Sequence, residues 1–168
     1  TVRNDKGAIA VDGADLDVKS GEIVGIAGVD GNGQQELAEA VIGIRKGHGH
    51  IVYDGIDVID LPVNERLSMG MSYIPEDPES SIIKEFSIVE NAILGLHGGY
   101  RFRGRGIINY NTAREFAEKL IDQYNIDVGS TDMAVGHLSG GNMQKLIIAR
   151  ALESCMQLLF ACQPTRGL

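Results

Sequence analysis

The alternation of apolar and polar positions along the chain predicts an α/β protein. Short apolar runs bounded by glycine or proline predict buried strands at EIVGIA (22–27), HIVYDG (50–55), MSYIPED (71–77) and LLFAC (158–162). In QELAEAVIGI, Leu37, Ala40 and Val41 recur at helical spacing and predict a helix directly after the first strand. A further helix is predicted at MQKLIIARAL, just before the last strand.

Between residues 77 and 137 the pattern becomes mainly helical. Ser87 with Glu90, and Thr112 with Glu115, have the spacing of a capping box and predict two helix starts. Phe116 and Leu120 place an apolar stripe on the second helix, which continues to Tyr124. We therefore predict an α/β core formed by 1–76 and 138–168, interrupted by a helical subdomain at 77–137.

Composition and charge narrow the function classes. The chain has 168 residues, 43% of them apolar, and a formal net charge of −8, which argues against a general nucleic-acid or anionic-membrane surface. No apolar run is long enough to span a bilayer. Cys155 and Cys162 are the only cysteines, and we expect buried thiols in a reducing compartment. Both ends of the sequence look cut, and we expect a C-terminally truncated core.

The segment GVDGNGQQ (28–35) has the glycine spacing of a phosphate-binding loop, G-x-x-x-x-G-K-[ST], but not the residue types of its last two positions. Gly28 and Gly33 hold the glycine positions, while Gln34 and Gln35 replace the lysine and the hydroxyl. Backbone amides alone still form an anion site, but Asp30 adds a carboxylate that repels phosphate. The alternative is a glycine turn that binds no ligand.

The segment LSGGN (138–142) places Ser139 and two glycines at a predicted helix start. Helix N-termini favour anions through their amides and dipole. Alternatively, Ser139 with Asn142 three residues later is only an N-cap that imitates a capping box.

The last apolar run ends in Cys162 and Gln163. A strand ending in Asp-Glu at this place would supply an Mg²⁺ ligand and a base that activates water. A thiol is a poor Mg²⁺ ligand, and an amide does not take a proton from water. Both functions are lost.

The order of these motifs resembles the nucleotide-binding domain of ABC transporters, over nearly the whole chain. GVDGNGQ, YIPED, LSGGN-x-QK and QPTRGL together resemble the C-terminal ATPase half of the fused ATP-binding subunit of sugar and nucleoside importers. QPTRG in place of DEPTRG favours the nucleoside branch. The resemblance implies a P-loop NTPase-like core with an inserted helical subdomain.

The resemblance also assigns roles to particular positions. It implies that the nucleotide-binding positions are Gly28, Gly31, Asn32, Gly33, Gln34, Gln35 and Glu76, where Glu76 replaces the glutamine that senses the γ-phosphate. It places Cys162 and Gln163 at the metal-ligand and base carboxylates, and the signature at Ser139, Gly140, Gly141 and Asn142. No aromatic residue near Lys6 is available to stack on adenine.

In this family two halves pair head to tail, and each ATP lies between one phosphate loop and the other half's signature. The resemblance therefore implies that this half completes in trans an ATP site, with Mg²⁺, held by the N-terminal half, and binds no nucleotide or metal firmly itself. It implies permease subunits and, indirectly, a solute-binding protein as partners, no nucleic acid, and a place on the cytoplasmic face of the membrane. Alone, the chain is expected to hydrolyse ATP very slowly or not at all.

Two other functions stay open. In the first, the phosphate loop works and Gln34 and Gln35 bind ATP in an unusual way, which makes the chain an ATPase. In the second, the chain belongs to a soluble ABC ATPase of DNA repair or translation. The arginine–glycine patch with Arg101, Arg103 and Arg105 resembles an RNA-binding segment, but a solvated loop fits the acidic chain better. His48 and His50 are expected to be surface residues rather than metal ligands.

Overall fold

A computed structural model describes residues 1–96, 102, 107–154 and 156–165. The chain divides into two compact units, Thr1–Met71 and Ser72–Leu168. Cys155 and the three arginines of the predicted patch lie outside the described residues. The assignment of 77–137 to a separate helical subdomain stays a prediction.

The first unit combines short antiparallel strands with two helices. Strands β1 (Val2–Arg3) and β2 (Ile9–Val11) pair with each other, as do β3 (Val52–Tyr53) and β4 (Ile56–Asp57). The helices are α1 (Gln34–Ile42) and α2 (Val63–Ser68). Helix α1 contacts β1, β2 and α2, and its residues Ala38, Ala40 and Ile42 are buried. The predicted helix after the glycine loop is therefore confirmed.

The predicted strand at 22–27 is wrong for the structure. Residues 22–29 form no regular element, and Ile23 is 98% exposed. A strand requires a hydrogen-bonded neighbour and cover for its side chains, and none of the described strands pairs with this segment. The predicted strand at 50–55 is also shorter than expected and turns back into β4 at residue 56.

Arg66 connects the two helices of the first unit. Its guanidinium is buried and donates to four backbone carbonyls, those of Ala40, Val41, Ile59 and Leu61, at 2.7–2.9 Å. Two of these carbonyls belong to the last turn of α1, where intrahelical donors are scarce; that of Ala40 also accepts the N–H of Gly43 at 3.2 Å. Burial lowers the pKa of Arg66 from its ordinary value.

The second unit contains a two-stranded sheet and three helices around a common core. Strand β5 (Met71–Ile74) neighbours β6 (Leu158–Ala161). Helices α3 (Ile88–Ala92), α4 (Tyr110–Gln123) and α5 (Gly140–Glu153) contact one another, and short 3₁₀ turns lie at Pro78–Ser81 and Val135–His137. The predicted strands at 71–77 and 158–162 are confirmed with earlier ends.

The two predicted helix starts have different outcomes. The capping box of Ser87 and Glu90 is present, with both reciprocal hydrogen bonds. The second box is wrong, because α4 begins at Tyr110 and its cap is Asn109, whose side chain accepts the Thr112 N–H. Asparagine caps at least as well as threonine, so the helix starts earlier.

The core of the second unit explains why α3 and α5 stay together. Phe116 and Leu120 of α4 are buried in it, as their spacing predicts. Arg150 of α5 donates to the carbonyls of Asn91 and Ser81, at 2.9 and 2.8 Å. Burial lowers the pKa of Arg150 to about 10. This arginine therefore connects α5 to α3 and to the turn before it.

Candidate nucleotide-binding regions

The glycine loop enters α1 through backbone conformations that favour glycine. Gly31 and Gly33 have positive φ angles of 79° and 95°, and Gly33 is the N-cap of α1. A Cβ on Gly33 would lie 2.3 Å from the carbonyl oxygen of Ala10. The loop and β2 therefore approach so closely that only glycine fits.

The side chain of Gln34 lies inside this loop. Its Nε2 donates to the carbonyl of Val29 at 3.2 Å. A Cβ built on Gly28 would be 2.2 Å from the same Nε2, so the amide covers the first glycine of the motif. The position that carries a lysine in a phosphate loop holds here a neutral group bonded to the loop itself.

The side chain of Gln35 is bonded into a different network. Its Nε2 donates to Glu39 at 2.7 Å, and the other oxygen of Glu39 accepts from Nε of Arg45 at 2.7 Å. Arg45 also contacts Asp5 at 2.7 Å. The hydrogen bonds to Asp5 and then Glu39 raise the pKa of Arg45. The position of the metal-binding hydroxyl is thus occupied by an amide that holds a carboxylate.

A cavity of about 290 Å³ lies beside the loop. It is lined by the end of β2 with Asp12, by residues 26–28, and by Asn32, Gly33, Gln34 and Leu37. None of these residues is a lysine or an arginine, and the sequence has neither between Lys19 and Arg45. The cavity therefore lacks a positive side chain for a triphosphate.

Glu76 and Gln163 come together at the ends of β5 and β6. Nε2 of Gln163 donates to Oε1 of Glu76 at 2.9 Å, and the N–H of Cys162 donates to the carbonyl of Ile74 at 2.9 Å. Gln163 has a positive φ of 44°. The thiol of Cys162 is partly buried. The two positions linked by the resemblance to γ-phosphate sensing and to the base are therefore in direct contact.

These residues do not fit a bound Mg²⁺–nucleotide complex. Mg²⁺ requires oxygen ligands, whereas Cys162, which the resemblance assigns to the metal ligand, carries a thiol, and Gln35 is bonded to Glu39. Among the described residues, no group of three histidine, cysteine, aspartate or glutamate side chains is arranged to hold a metal ion.

The LSGGN segment forms the N-terminus of α5. Oγ of Ser139 accepts the N–H of Asn142 at 3.3 Å, which makes Ser139 the N-cap. Ser139 and Gly140 are exposed, and no heavy atom would lie within 4 Å of a Cβ on Gly140. The predicted N-cap hydrogen bond is therefore present, and Ser139 and Gly140 are exposed at the first turn of the helix; whether this turn also binds an anion stays a prediction.

Asn142 has a role that the sequence did not indicate. Its side-chain amide accepts the N–H of Asp127 and donates to the carbonyl of the same residue, both at 3.1 Å. Lys145 donates to the carbonyl of Asn125 at 2.8 Å. Both side chains fix the turn after α4 to α5. No local pattern identifies such a contact, since its partners lie 15 and 20 residues away.

His48 and His50 are exposed, as predicted. Nδ1 of His50 lies 2.7 Å from a carboxylate oxygen of Asp57, on the exposed β3–β4 hairpin.

In the part of the chain that the structure describes, no helix is both long and apolar enough to cross a membrane.

Comparisons with known proteins agree with the fold and the motifs. The family model described as ABC transporter matches residues 11–166. The glucose import ATP-binding protein of Haloferax volcanii is 39% identical over 98% of this chain and 31% of its own length. The guanosine import ATP-binding protein of Bacillus subtilis is 39% identical over 100% of the chain and 33% of its own length.

A solved ATP-binding cassette, in a dimeric structure with ADP and Pi bound, superposes with a TM-score of 0.78 at 26% identity, over 95% of this chain and 68% of that chain. The present chain spans about a third of the length of the curated relatives. It has the mixed α/β fold of an ABC ATPase. The chain belongs to the ABC transporter family, in the group of ATP-binding domains that includes these sugar and nucleoside import proteins.

Proposed function

We propose that this chain is the second nucleotide-binding domain of an importer ATP-binding subunit and donates its signature to ATP held by the partner half. The transported solute is a nucleoside or a simple sugar. The observation that carries the proposal is the contrast between the two candidate regions. The glycine loop is filled by its own side chains, whereas the N-terminus of α5 is open.

The loop argues against firm nucleotide binding by this half. The amide of Gln34 bonds to Val29 inside the loop, and an entering phosphate would have to displace it. A hydrogen bond to a charged group contributes about 1.5–3 kcal/mol, so the missing lysine alone weakens binding by roughly ten- to a hundredfold. The carboxylate of Asp30 weakens it further.

The signature argues for a contribution in trans. Ser139 presents a hydroxyl, and Gly140 and Gly141 present amides at the positive end of a helix of 14 residues. An anion placed there gains hydrogen bonds without any change in the chain. The γ-phosphate of ATP bound by the partner half is such an anion, and Mg²⁺ would remain at the partner's site.

The family membership supports the rest of the assembly. The partner half would be the N-terminal ATPase domain of the same subunit, and permease subunits would bind the pair at the cytoplasmic face of the membrane. A solute-binding protein would take part indirectly. The glucose and guanosine in the relatives' names are the solutes of those relatives. For this chain we propose only the class of solute, a sugar or a nucleoside.

The test is ATP turnover by the complete transporter. Ser139→Ala is expected to reduce turnover at least about tenfold, since a single transition-state donor contributes roughly 10²–10³ in rate. Gln35→Ala is expected to leave it within about twofold, because no catalytic contact is lost.

A cap-matched control separates catalysis from folding. Asn109→Ala removes the N-cap of α4, a helix of the same length as α5, and loss of an N-cap costs about 1 kcal/mol in either helix. If Asn109→Ala lowers turnover as much as Ser139→Ala does, the signature has no special role. If Gln35→Ala abolishes turnover, the loop is the working site.

A second candidate, a working but unusual loop, is favoured by the cavity beside Gly33 and Gln34. Titration with a fluorescent ATP analogue, with and without Mg²⁺, distinguishes the two. Micromolar affinity that depends on Mg²⁺ and on Gln34 would favour this second function.

A further inference from the structure

We propose that Gln163 is a positioning residue for the signature helix. Its carboxamide holds the turn after β6 against Glu76, and Gln144 of α5 holds the same turn from the other side. This inference rests on the proposed function of the signature. An amide cannot act as a base, and the inference gives Gln163 a structural role instead.

The contact with Glu76 fixes the side chain of Gln163. A carboxylate only accepts hydrogen bonds, so the Nε2 must face Glu76, at the observed 2.9 Å. The backbone of Gln163 is left-handed, with a φ of 44°, and Pro164 follows it. A residue before proline favours extended conformations, so this backbone persists only when its surroundings hold it.

The next residue is held by α5. Nε2 of Gln144 donates to the carbonyl of Pro164 at 3.0 Å, and Gln144 is only 2% exposed. Gln144 lies two positions after Asn142, in the first turns of the signature helix. A continuous set of contacts therefore runs from Glu76 through Gln163 and Pro164 to α5.

The amide at position 163 makes this connection independent of cations. A glutamate there would place a second carboxylate about 2.9 Å from Glu76, and two carboxylates at that distance require a shared proton or a metal ion. Gln163 forms the contact with neither. The turn, and α5 with it, is therefore held in place whether or not this half has bound a metal or a nucleotide.

The experiment compares four forms of the chain by hydrogen exchange, each with and without 1 mM Mn²⁺. They are the parent chain, Gln163→Ala, Gln163→Glu and the exchanged pair Glu76→Gln with Gln163→Glu. The peptide 139–145 reports on the signature helix, and the peptide 110–123 of α4 is the internal control.

In Gln163→Ala we expect exchange in 139–145 to be at least about threefold faster, with no change in α4, because the turn is no longer held. Without Mn²⁺, exchange of 139–145 in Gln163→Glu is expected to be as fast as in Gln163→Ala. With Mn²⁺ it should return to the parent rate, since the two carboxylates bind the ion. The exchanged pair keeps one amide and one carboxylate and should match the parent in both conditions.

Equal exchange of 139–145 in all four forms would overturn the proposal, as would an exchanged pair that behaves like Gln163→Ala. If Gln163→Glu does not fold, the exchanged pair and Gln163→Ala still decide. This readout is independent of turnover. Should Ser139→Ala leave ATP turnover unchanged, the proposed function fails while the connection between Gln163 and α5 can still hold.

Discussion

Replacement of Arg66 by methionine is expected to destabilise the first unit strongly. The arginine is 2% exposed, and it satisfies four backbone carbonyls, two of which end helix α1. Methionine has a similar length and fills most of the same space, but it donates no hydrogen bond. The substitution therefore removes the donors while it keeps most of the packing.

The magnitude follows from the groups left behind. A buried acceptor without a partner costs about 1–3 kcal/mol. The carbonyl of Ala40 keeps the N–H of Gly43 as a partner, and water can reach some of the other three after the change, so we expect a total loss of about 3–5 kcal/mol in the free energy of unfolding. Domains of ordinary stability have about 5–15 kcal/mol in all. Arg66→Lys retains part of the donors and should lose about half as much.

Urea unfolding followed by circular dichroism measures the effect. With a slope of about 2 kcal/mol per molar, the midpoint for Arg66→Met should fall by roughly 1.5–2.5 M. Arg3→Met is the matched control, because the exposed Arg3 donates to a single carbonyl, that of Gly7, and its midpoint should not change. If Arg66→Met unfolds at the same urea concentration as this control, the four contacts do not stabilise the fold.

Three further changes test other parts of the structure. Gly33→Ala should lower the free energy of unfolding by about 2 kcal/mol or more, because the new Cβ would clash with a carbonyl of β2 and the backbone has a positive φ. Gly31→Ala should lower it less, because its φ is also positive but the space around it is open. Equal losses in thermal unfolding would contradict this. The hydrogen bond from Tyr110 lowers the pKa of Glu90. The stability that this bond contributes is therefore present above the pKa of Glu90 in the unfolded chain and is lost as pH falls through the pKa in the folded chain. Tyr110→Phe should reduce the loss of stability on acidification, and an unchanged dependence of stability on pH would refute the assignment. Ile23→Lys should change the free energy of unfolding by less than about 0.5 kcal/mol, because Ile23 is 98% exposed; a larger loss in urea unfolding would show that Ile23 is buried, as the predicted strand requires.

The elements that sequence alone predicted are those with local signals. The capping box at Ser87, the apolar stripe of Phe116 and Leu120, and the N-cap at Ser139 each depend on residues within one or two turns. The predicted strand around Ile23 depended on a neighbouring strand, which a local apolar run does not specify. The start of α4 at Tyr110 was missed because two equally good caps lie within a few residues of each other.

The candidate sites were predictable in position and only partly in chemistry. Motif spacing located the loop and the signature, and the missing lysine could be read directly from Gln34. The hydrogen-bond partners of the side chains, in contrast, could not be predicted from the sequence. Gln163 contacts Glu76 from 87 positions away, and Arg66 contacts Ala40 from 26. Contacts at such separations depend on the packing of elements, which no local pattern records.

The three glutamines at the altered positions share one property that explains how the chain tolerates them. Gln34, Gln35 and Gln163 each donate Nε2 to an acceptor of the same chain, at 3.2, 2.7 and 2.9 Å. A signature at a helix N-terminus requires mainly backbone amides and survives such changes, whereas a phosphate loop requires particular side chains. Each single return to the family residue would remove an internal hydrogen bond without completing an Mg²⁺–nucleotide site at the loop, because the other positions remain altered. Under the proposed function, nucleotide hydrolysis at this loop therefore requires several substitutions together, and the energetic effects of the single changes should not add.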